Sequence, residues 1–371
     1  MTPEDIAHSA PDLAPAQRQS LVERYRLQTW FIGIIAFAMV LFLMVQARFI
    51  LTSLVFAIIL FSLTTDAISV FQRLRIGSWR ITTWLASVAA FAAIAIVLLT
   101  LSALLIGQIN SLVTTTLTYT DQAIAAIARL AALFSPEAEA AVEASIRSIQ
   151  VSAYVGSLAG QAGNLLSAVT LVILFVGFLF AERLWFDTKL ENLMNDKARA
   201  QRVSRIIHSI VRRVNHYLLV KTGVSIATAL VIYGIMVAFG LDFAGPIAIL
   251  TFVLNYIPSV GSIIATILLG LIALIQVPEP ATALVVFMLG TLTQFTLGSV
   301  IDPMLMGKAL RVSSFGIIVS LSFWGMVWGV PGMFLAVPIM VATMIVCSHI
   351  PAARPVAVLL SREGLPEPED S

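Results

Sequence analysis

Amide, phenol and hydroxyl side chains cluster around two helix breakers inside a long apolar stretch. The cluster consists of Asn255, Tyr256, Pro258, Ser259, Gly261 and Ser262. A helix that breaks at the proline leaves backbone carbonyls unpaired beside these side chains. The combination predicts a cradle for a small, uncharged and hydroxyl-rich molecule. The alternative is a helical hairpin whose tip satisfies its own polar groups.

Asp302 is a second candidate for chemistry, because a carboxylate at the centre of a bilayer costs about 2.5–3.5 kcal/mol on insertion scales and is normally functional. Pro303 follows it and leaves an upstream carbonyl unpaired. A protonatable or ion-paired Asp302 would suit ion-coupled transport. In the alternative, Asp302 ends its span and pairs at the interface with Lys308 or Arg311. Gln294, two turns earlier, is a further polar candidate for solute binding.

A third candidate segment alternates tryptophans with glycines and a proline. Its members are Trp324, Gly325, Trp328, Gly329, Pro331 and Gly332. Glycines four residues apart let helix backbones approach closely, which favours tight packing within a protomer or between protomers. The competing hypothesis is a hinge or gate flanked by the two tryptophans.

Composition defines the class of protein that must position these residues. Of 371 residues, 59% are hydrophobic and 11% are charged, and the mean hydropathy is +0.97. A chain this apolar is a polytopic membrane protein and not a soluble domain. The net charge of +2 is too small to indicate nucleic-acid binding. Cys347 is alone and forms no internal disulfide, and the acidic, proline-rich first 26 residues indicate a retained first span and no cleaved signal peptide.

Apolar runs predict the membrane segments, since about 20 apolar residues cross a hydrocarbon core about 30 Å thick. Six runs meet this length, near residues 28–45, 49–71, 81–107, 164–181, 216–239 and 281–301. Two further runs, 243–276 and 313–348, are interrupted, and each is either two short crossings or one re-entrant hairpin. The sequence therefore predicts an all-α polytopic membrane protein with about eight membrane segments, two of them broken or re-entrant.

Lysines and arginines concentrate before the first span, after the second and after the fourth, which predicts that both termini are cytoplasmic. The predicted organisation is an N-terminal segment (1–27), three spans (28–107), extracytoplasmic helices (108–163), a fourth span (164–181), a basic connection (182–215), a transport core with broken helices (216–348) and a cytoplasmic tail (349–371).

Two of the predicted connections have amphipathic character. Residues 108–163 resemble a pair of interfacial helices, one of them starting at Ser135-Pro136, which either rim an entrance or serve assembly. Residues 195–218 place apolar side chains at helical spacing among arginines. This second helix either moves with a transport cycle or holds the topology and contacts anionic lipid.

Catalytic motifs are absent from the sequence. There is no HExxH, no phosphate-binding Walker loop, and no nucleophilic serine or cysteine with a histidine partner in a span. His208 and His216 are eight residues apart with no carboxylate between them, so no metal site is expected. We therefore expect neither an enzyme nor a cofactor, and any transport is driven by a gradient or an ion.

Two stretches together resemble the autoinducer-2 exporter (AI-2E) family of bacterial permeases. The first is FVLNYIPSVGSIIATILLGLIALIQ, Phe252 to Gln276, and the second runs from Gly298 to Pro338. Asn-Tyr-Ile-Pro ending in Gly-Ser, then Asp-Pro and Met-Gly, then two Trp-Gly pairs and Ala-Val-Pro, occur in that order. The resemblance implies a multi-pass homo-oligomer of the bacterial inner membrane, a pentamer, that exports autoinducer-2 or another small solute. Some relatives are associated instead with sodium or proton antiport.

Three functions are consistent with these residues. The first is a secondary transporter that exports a small polar solute, such as the quorum-sensing signal autoinducer-2. The second is a sodium or proton antiporter that uses Asp302 as its coupling residue. The third is a membrane scaffold that transports nothing and uses its outer helices for assembly.

Overall fold

The computed structural model describes residues 15–73, 85–108, 135, 151–194, 196–307 and 312–364. Most of the predicted extracytoplasmic pair of helices between 108 and 163 lies outside these residues. The same is true of the two cations, Lys308 and Arg311, that the sequence offered as partners for Asp302.

Helices form almost the whole of the described chain. In chain order they are α1 (Pro15–Gln46), α2 (Arg48–Arg73), α3 (Leu85–Gln108), α4 (Val151–Glu182), α5 (Phe186–Met194), α6 (Lys197–Ala238), α7 (Ala244–Leu254), α8 (Val260–Gln276), α9 (Pro280–Gln294), α10 (Asp302–Met306), α11 (Ser314–Trp328), α12 (Val330–Ser348) and α13 (Arg354–Leu360). A π-helical segment, Phe295–Ile301, joins α9 to α10. The three together form one continuous helical rod of 27 residues, Pro280–Met306.

Seven helices in the described residues are long and apolar enough to cross a membrane. Six of them coincide with the six uninterrupted runs of the sequence, and the seventh is α12 in the second interrupted run. The predicted all-α polytopic class is therefore confirmed. The first interrupted run contains two shorter helices, α7 and α8, of 11 and 17 residues, which pack against each other as a hairpin.

The longest described helix is α6, with 42 residues and a length of about 63 Å. It starts where the Asp196 carboxylate accepts a hydrogen bond from the Ala198 backbone N–H at 2.8 Å, an N-cap that pairs one of the free donors of the first turn. The sequence separated a basic amphipathic helix over 195–218 from a span over 216–239. The structure joins the two in one uninterrupted helix.

The central position of α6 follows from its neighbours, because α7, α9, α10 and α12 all pack on it. Near its end, Ile232 and Met236 join a buried apolar cluster with Leu269 of α8 and Val286 of α9. Closer to its middle, Leu218 packs into a second cluster built mainly from α12. Polar side chains between these two clusters are therefore held in an apolar frame.

The second hairpin consists of α11 and α12. Between them Gly329 has a φ of +67°, a conformation that side chains with a Cβ rarely adopt, and this residue reverses the chain. The Ser313 hydroxyl caps α11 by accepting from the Gly316 N–H at 3.4 Å. Both interrupted runs of the sequence thus fold as pairs of packed helices.

Candidate functional site

Three polar residues form a buried stripe on one face of α6. Lys221, Ser225 and Thr228 follow each other at spacings of four and three residues, and they are 5%, 0% and 0% exposed. Residues at this spacing lie above one another on a helix. The Thr228 hydroxyl donates to the carbonyl of Val224 in its own helix at 2.8 Å. Lys221 and Ser225 instead pair with residues of other segments of the chain.

The first partner is the tip of the α7–α8 hairpin. Asn255 directly follows α7 and is 4% exposed, and its side-chain amide donates to the Ser225 hydroxyl at 3.1 Å. At the base of the hairpin, the Asp242 N–H donates to the Gln276 side-chain carbonyl at 2.7 Å. The 11 residues of α7 rise about 16 Å from that base, roughly half the thickness of a hydrocarbon core.

Tyr256 ties the same tip to two helices. Its hydroxyl lies 2.7 Å from that of Thr222 on α6, and its ring stacks on Phe334 of α12 with the centroids 4.5 Å apart. The residue is 8% exposed. Tyr256 therefore holds the hairpin tip between α6 and the second hairpin by one polar and one aromatic contact, in addition to the hydrogen bond from Asn255.

The remaining residues of the sequence cluster lie apart from Asn255. Ser259 is exposed, with a φ of +61°, and its carbonyl accepts from the Ser262 hydroxyl at 3.0 Å. Gly261 is buried, and a Cβ there would lie 1.7 Å from the Leu254 carbonyl oxygen. Pro258, half-buried, lies in the turn. The cluster thus divides into an inward pair, Asn255 and Tyr256, and a serine pair that satisfies itself.

Asp302 forms a buried ion pair with Lys221. Its Oδ2 lies 2.6 Å from the lysine Nζ, and the two side chains are 10% and 6% exposed. The sequence reading did not identify Lys221, whose partner is 81 residues away along the chain. A lysine inside an apolar span is itself a signal, because such a residue is expected to pair with another buried group.

The π-helical segment separates Gln294 from Asp302 on the same rod. π-helical turns are rare in proteins overall, but where they occur they are frequently at functional sites. Pro303, just after the segment, has no N–H to donate. Both Gln294 and Asp302 are 7% exposed. Among the described residues, neither amide atom of Gln294 has a hydrogen-bond partner, and the same is true of Asp302 Oδ1 and of the Tyr217 hydroxyl.

The tryptophan–glycine segment makes its contacts within the α11–α12 hairpin. A Cβ on Gly332 would lie 2.0 Å from the Trp324 carbonyl oxygen, and one on Gly325 would lie 2.8 Å from the Met333 methyl carbon. The rings of Trp324 and Trp328 are 4.5 Å apart. Gly329 reverses the chain and Pro331 lies in the first turn of α12. The glycines therefore permit close packing of the two helices of this hairpin.

The chemistry available at the site is hydrogen bonding around a neutral ion pair. In the described part of the chain, no group of three or more histidine, cysteine, aspartate or glutamate side chains is placed to hold a metal ion. The inward-facing groups are an ammonium, a carboxylate, two amides and several hydroxyls. Such groups can form hydrogen bonds with a polar molecule.

Comparison with known proteins identifies the family. A family model described as AI-2E family transporter matches residues 32–352. The chain belongs to the AI-2E transporter family. The AI-2E match confirms the resemblance found in the sequence, and with seven candidate spans it identifies a membrane-embedded protein.

Individual AI-2E relatives are named as transport proteins. A putative transport protein of Borreliella burgdorferi is 30% identical over 220 residues, covering 58% of this chain and 60% of the relative. The AI-2 transport protein TqsA of Escherichia coli (strain K12) is 32% identical over 206 residues, covering 55% and 58%. The putative transport protein YhhT of the same strain is 29% identical over 182 residues, covering 49% and 51%. This AI-2E chain thus spans between half and about 60% of the length of these relatives.

Proposed function

We propose that the protein is a secondary transporter that exports a small polar solute across the bacterial inner membrane. Membership of the AI-2E family supports transport in general. Autoinducer-2 is the first candidate solute, because one relative at 32% identity carries the name AI-2 transport protein. The proposal includes cytoplasmic termini. It also includes a homo-oligomer, a pentamer by family resemblance, and native mass spectrometry of the purified protein tests this number of subunits.

The observation that carries the proposal is the hydrogen bond between Asn255 and Ser225, beside the Lys221–Asp302 pair. The tip of the α7–α8 hairpin carries the side-chain amide of Asn255 inside an otherwise apolar fold. This amide needs a polar partner within the fold. Broken helices whose tips meet near mid-membrane form the substrate sites of many transporters. Each interrupted run of this chain folds as a helical hairpin, and Tyr256 at the tip of the first stacks on Phe334 of the second, which supports a site of this kind.

The test is export of autoinducer-2 from proteoliposomes that contain the purified full-length protein. We expect wild type to release the solute down its gradient and Asn255→Ala to release it about fivefold more slowly, since one hydrogen bond of about 1 kcal/mol at the tip is lost. The matched control is Thr343→Ala, which removes an exposed hydroxyl that bonds its own helix. Equal rates for wild type and Asn255→Ala argue against the tip as the site. Absence of flux for every solute and ion tried supports a scaffold.

A second candidate function is cation or proton antiport, and the buried Asp302 with its cationic partner favours it. The test is dissipation of a sodium or proton gradient in the same proteoliposomes. Antiport predicts that Asp302→Asn abolishes the ion flux. If the ion flux persists in Asp302→Asn with unchanged size and pH dependence, this candidate is excluded. Solute efflux that needs Asn255, without any ion flux, favours the exporter.

A further inference from the structure

One side of α6 is exposed, and along the helix its side chains change from basic to apolar. Six residues define it: Arg205, Arg212, His216, Leu219, Ile226 and Leu230. Their spacings are seven, four, three, seven and four residues, which keeps them on one side of a helix with 3.6 residues per turn. We call these six residues the outer face of α6.

The rest of the protein packs against the other side of α6. Ile206, Ile210 and Val214 belong to the apolar cluster built mainly from α12, and Ile232 and Met236 belong to the cluster shared with α8 and α9. In the described part of the chain, the outer face contributes no side chain to either cluster. It is therefore turned toward the surroundings of the protein. Because α6 is long and apolar enough to cross a membrane, those surroundings include lipid.

The basic half of the outer face has no acidic counterpart. α6 contains neither aspartate nor glutamate, and among the described residues Arg205 and Arg212 form no ion pair. Arg199, by contrast, lies 3.4 Å from the Asp196 carboxylate. Guanidinium groups form short, charge-assisted hydrogen bonds with phosphate oxygens, and the ring of His216, one turn from Arg212, can donate a further hydrogen bond. A phosphate group would supply the anion that this half lacks.

The apolar half begins at a distance from Arg212 that suits a phospholipid. Leu219, Ile226 and Leu230 are 60%, 47% and 64% exposed, and they extend over about 16 Å of the helix. Arg212 precedes Leu219 by about 10 Å, and the headgroup region is about 5–8 Å thick on each side of the hydrocarbon core. The long arginine side chain covers the difference. Contacts to a headgroup and to an acyl chain therefore lie in line along one helix.

We propose that the outer face of α6 binds an anionic phospholipid, with the phosphate at Arg212 and His216 and an acyl chain along the three apolar residues. The inference goes beyond the proposed export function and does not depend on which solute is exported. It assigns the basic segment of α6 to lipid contact, one of the two roles that the sequence left open. A nucleic acid or an acidic peptide would match the basic half and leave the apolar half bare, whereas a phospholipid matches both halves.

The test titrates the purified full-length protein, in an uncharged detergent, with phosphatidylglycerol or with phosphatidylcholine of the same acyl chains. Native mass spectrometry counts the bound lipids. Wild type should bind phosphatidylglycerol at least about fivefold more tightly, because one arginine near an anionic headgroup contributes about that factor. Arg212→Gln should lose about fivefold in affinity for phosphatidylglycerol and keep its affinity for phosphatidylcholine. Equal affinities of wild type for the two lipids, or wild-type affinity of Arg212→Gln for phosphatidylglycerol, overturn the proposal.

Two further variants separate a local site from a general effect of net charge. Arg199→Gln removes an equal charge about 20 Å from Arg212 along α6 and should bind phosphatidylglycerol as wild type does. Arg205→Gln removes a charge about 10 Å from Arg212, close to the screening length at 0.1 M salt, and should lose only about twofold. If Arg199→Gln loses as much affinity as Arg212→Gln, the attraction is not local and the proposed site is wrong.

Two other occupants of the outer face would give different results. A lipid site should retain phosphatidylglycerol against about a hundredfold excess of glycerol 3-phosphate, because that anion makes no contact with the apolar half. Release of the lipid at about equal concentration indicates a site for free anions and overturns the proposal. If a second copy of the chain covers the outer face instead, Arg212→Gln lowers the number of subunits in the same spectra and leaves lipid binding unchanged. That result also overturns the proposal.

Discussion

The Lys221–Asp302 pair can be tested by removing its two charges singly and together. The variants are Lys221→Met, Asp302→Asn and the double variant. Because the side chains are only 6% and 10% exposed, each single variant leaves one buried charge without its partner. The double variant leaves none. We therefore expect it to be more stable than either single variant.

The expected size of the effect follows from the cost of an unpaired buried charge. Breaking a buried pair by removing one partner typically costs about 3–5 kcal/mol. We expect each single variant to lose about 3–5 kcal/mol and the double variant less than about 1 kcal/mol.

The assay is reversible unfolding of the purified protein in mixed micelles titrated with SDS, with the free energy of unfolding compared across the four proteins. The control cycle uses the exposed pair Lys189–Glu182, whose side chains are 64% and 58% exposed. Solvent screens that pair, so its coupling energy should stay below about 1 kcal/mol. If the losses at Lys221 and Asp302 simply add in the double variant, the two charges do not compensate each other and the reasoning is refuted.

Two further predictions concern the first hairpin, and both are measured in the same unfolding assay. Gly261→Ala should cost at least about 1–3 kcal/mol, because the new methyl group would lie 1.7 Å from the Leu254 carbonyl oxygen. The matched control Gly234→Ala meets no atom within 4 Å and should gain up to about 1 kcal/mol in its helix; equal stability of the two variants contradicts the close approach at the tip. Asn255→Ala should cost about 1 kcal/mol, and adding Ser225→Ala should cost little more, because the hydrogen bond is already lost. A second loss of the same size as the first means that the two side chains act independently.

The membrane helices could be predicted because their signal is local. A run of about 20 apolar residues is long enough to cross a hydrocarbon core whatever the rest of the chain does, and six such runs coincide with long helices of the structure. Pro258 likewise interrupts a helix because its ring removes a backbone donor, whereas Gly261 lies within α8. The local signal could not show that the helix continues through residue 216. The hydropathy of the sequence changes near this residue, whereas the helix itself is uninterrupted.

The candidate site was only partly predictable, because its contacts are made between distant segments. Asn255 and Tyr256 stood out by type and spacing, but the choice of Ser225 and Thr222 as their partners depends on how α7 packs on α6. The ion partner of Asp302 was sought close by in sequence, whereas Lys221 lies 81 residues away. Periodicity identifies which face of a helix is buried and does not identify the helix that covers it.

Because α6 is one uninterrupted helix, a change in its tilt moves its two ends by different distances. From Lys197 to Lys221 the helix runs about 36 Å, and from Lys221 to Ala238 about 26 Å. A straight helix that tilts by about 10° around Lys221 moves its basic end by about 6 Å, while Ser225, one turn from the pivot, moves by only about 1 Å. A tilt that displaces the basic end of α6 by several ångström therefore displaces Ser225, beside the buried tip of the hairpin, by less than the length of a hydrogen bond.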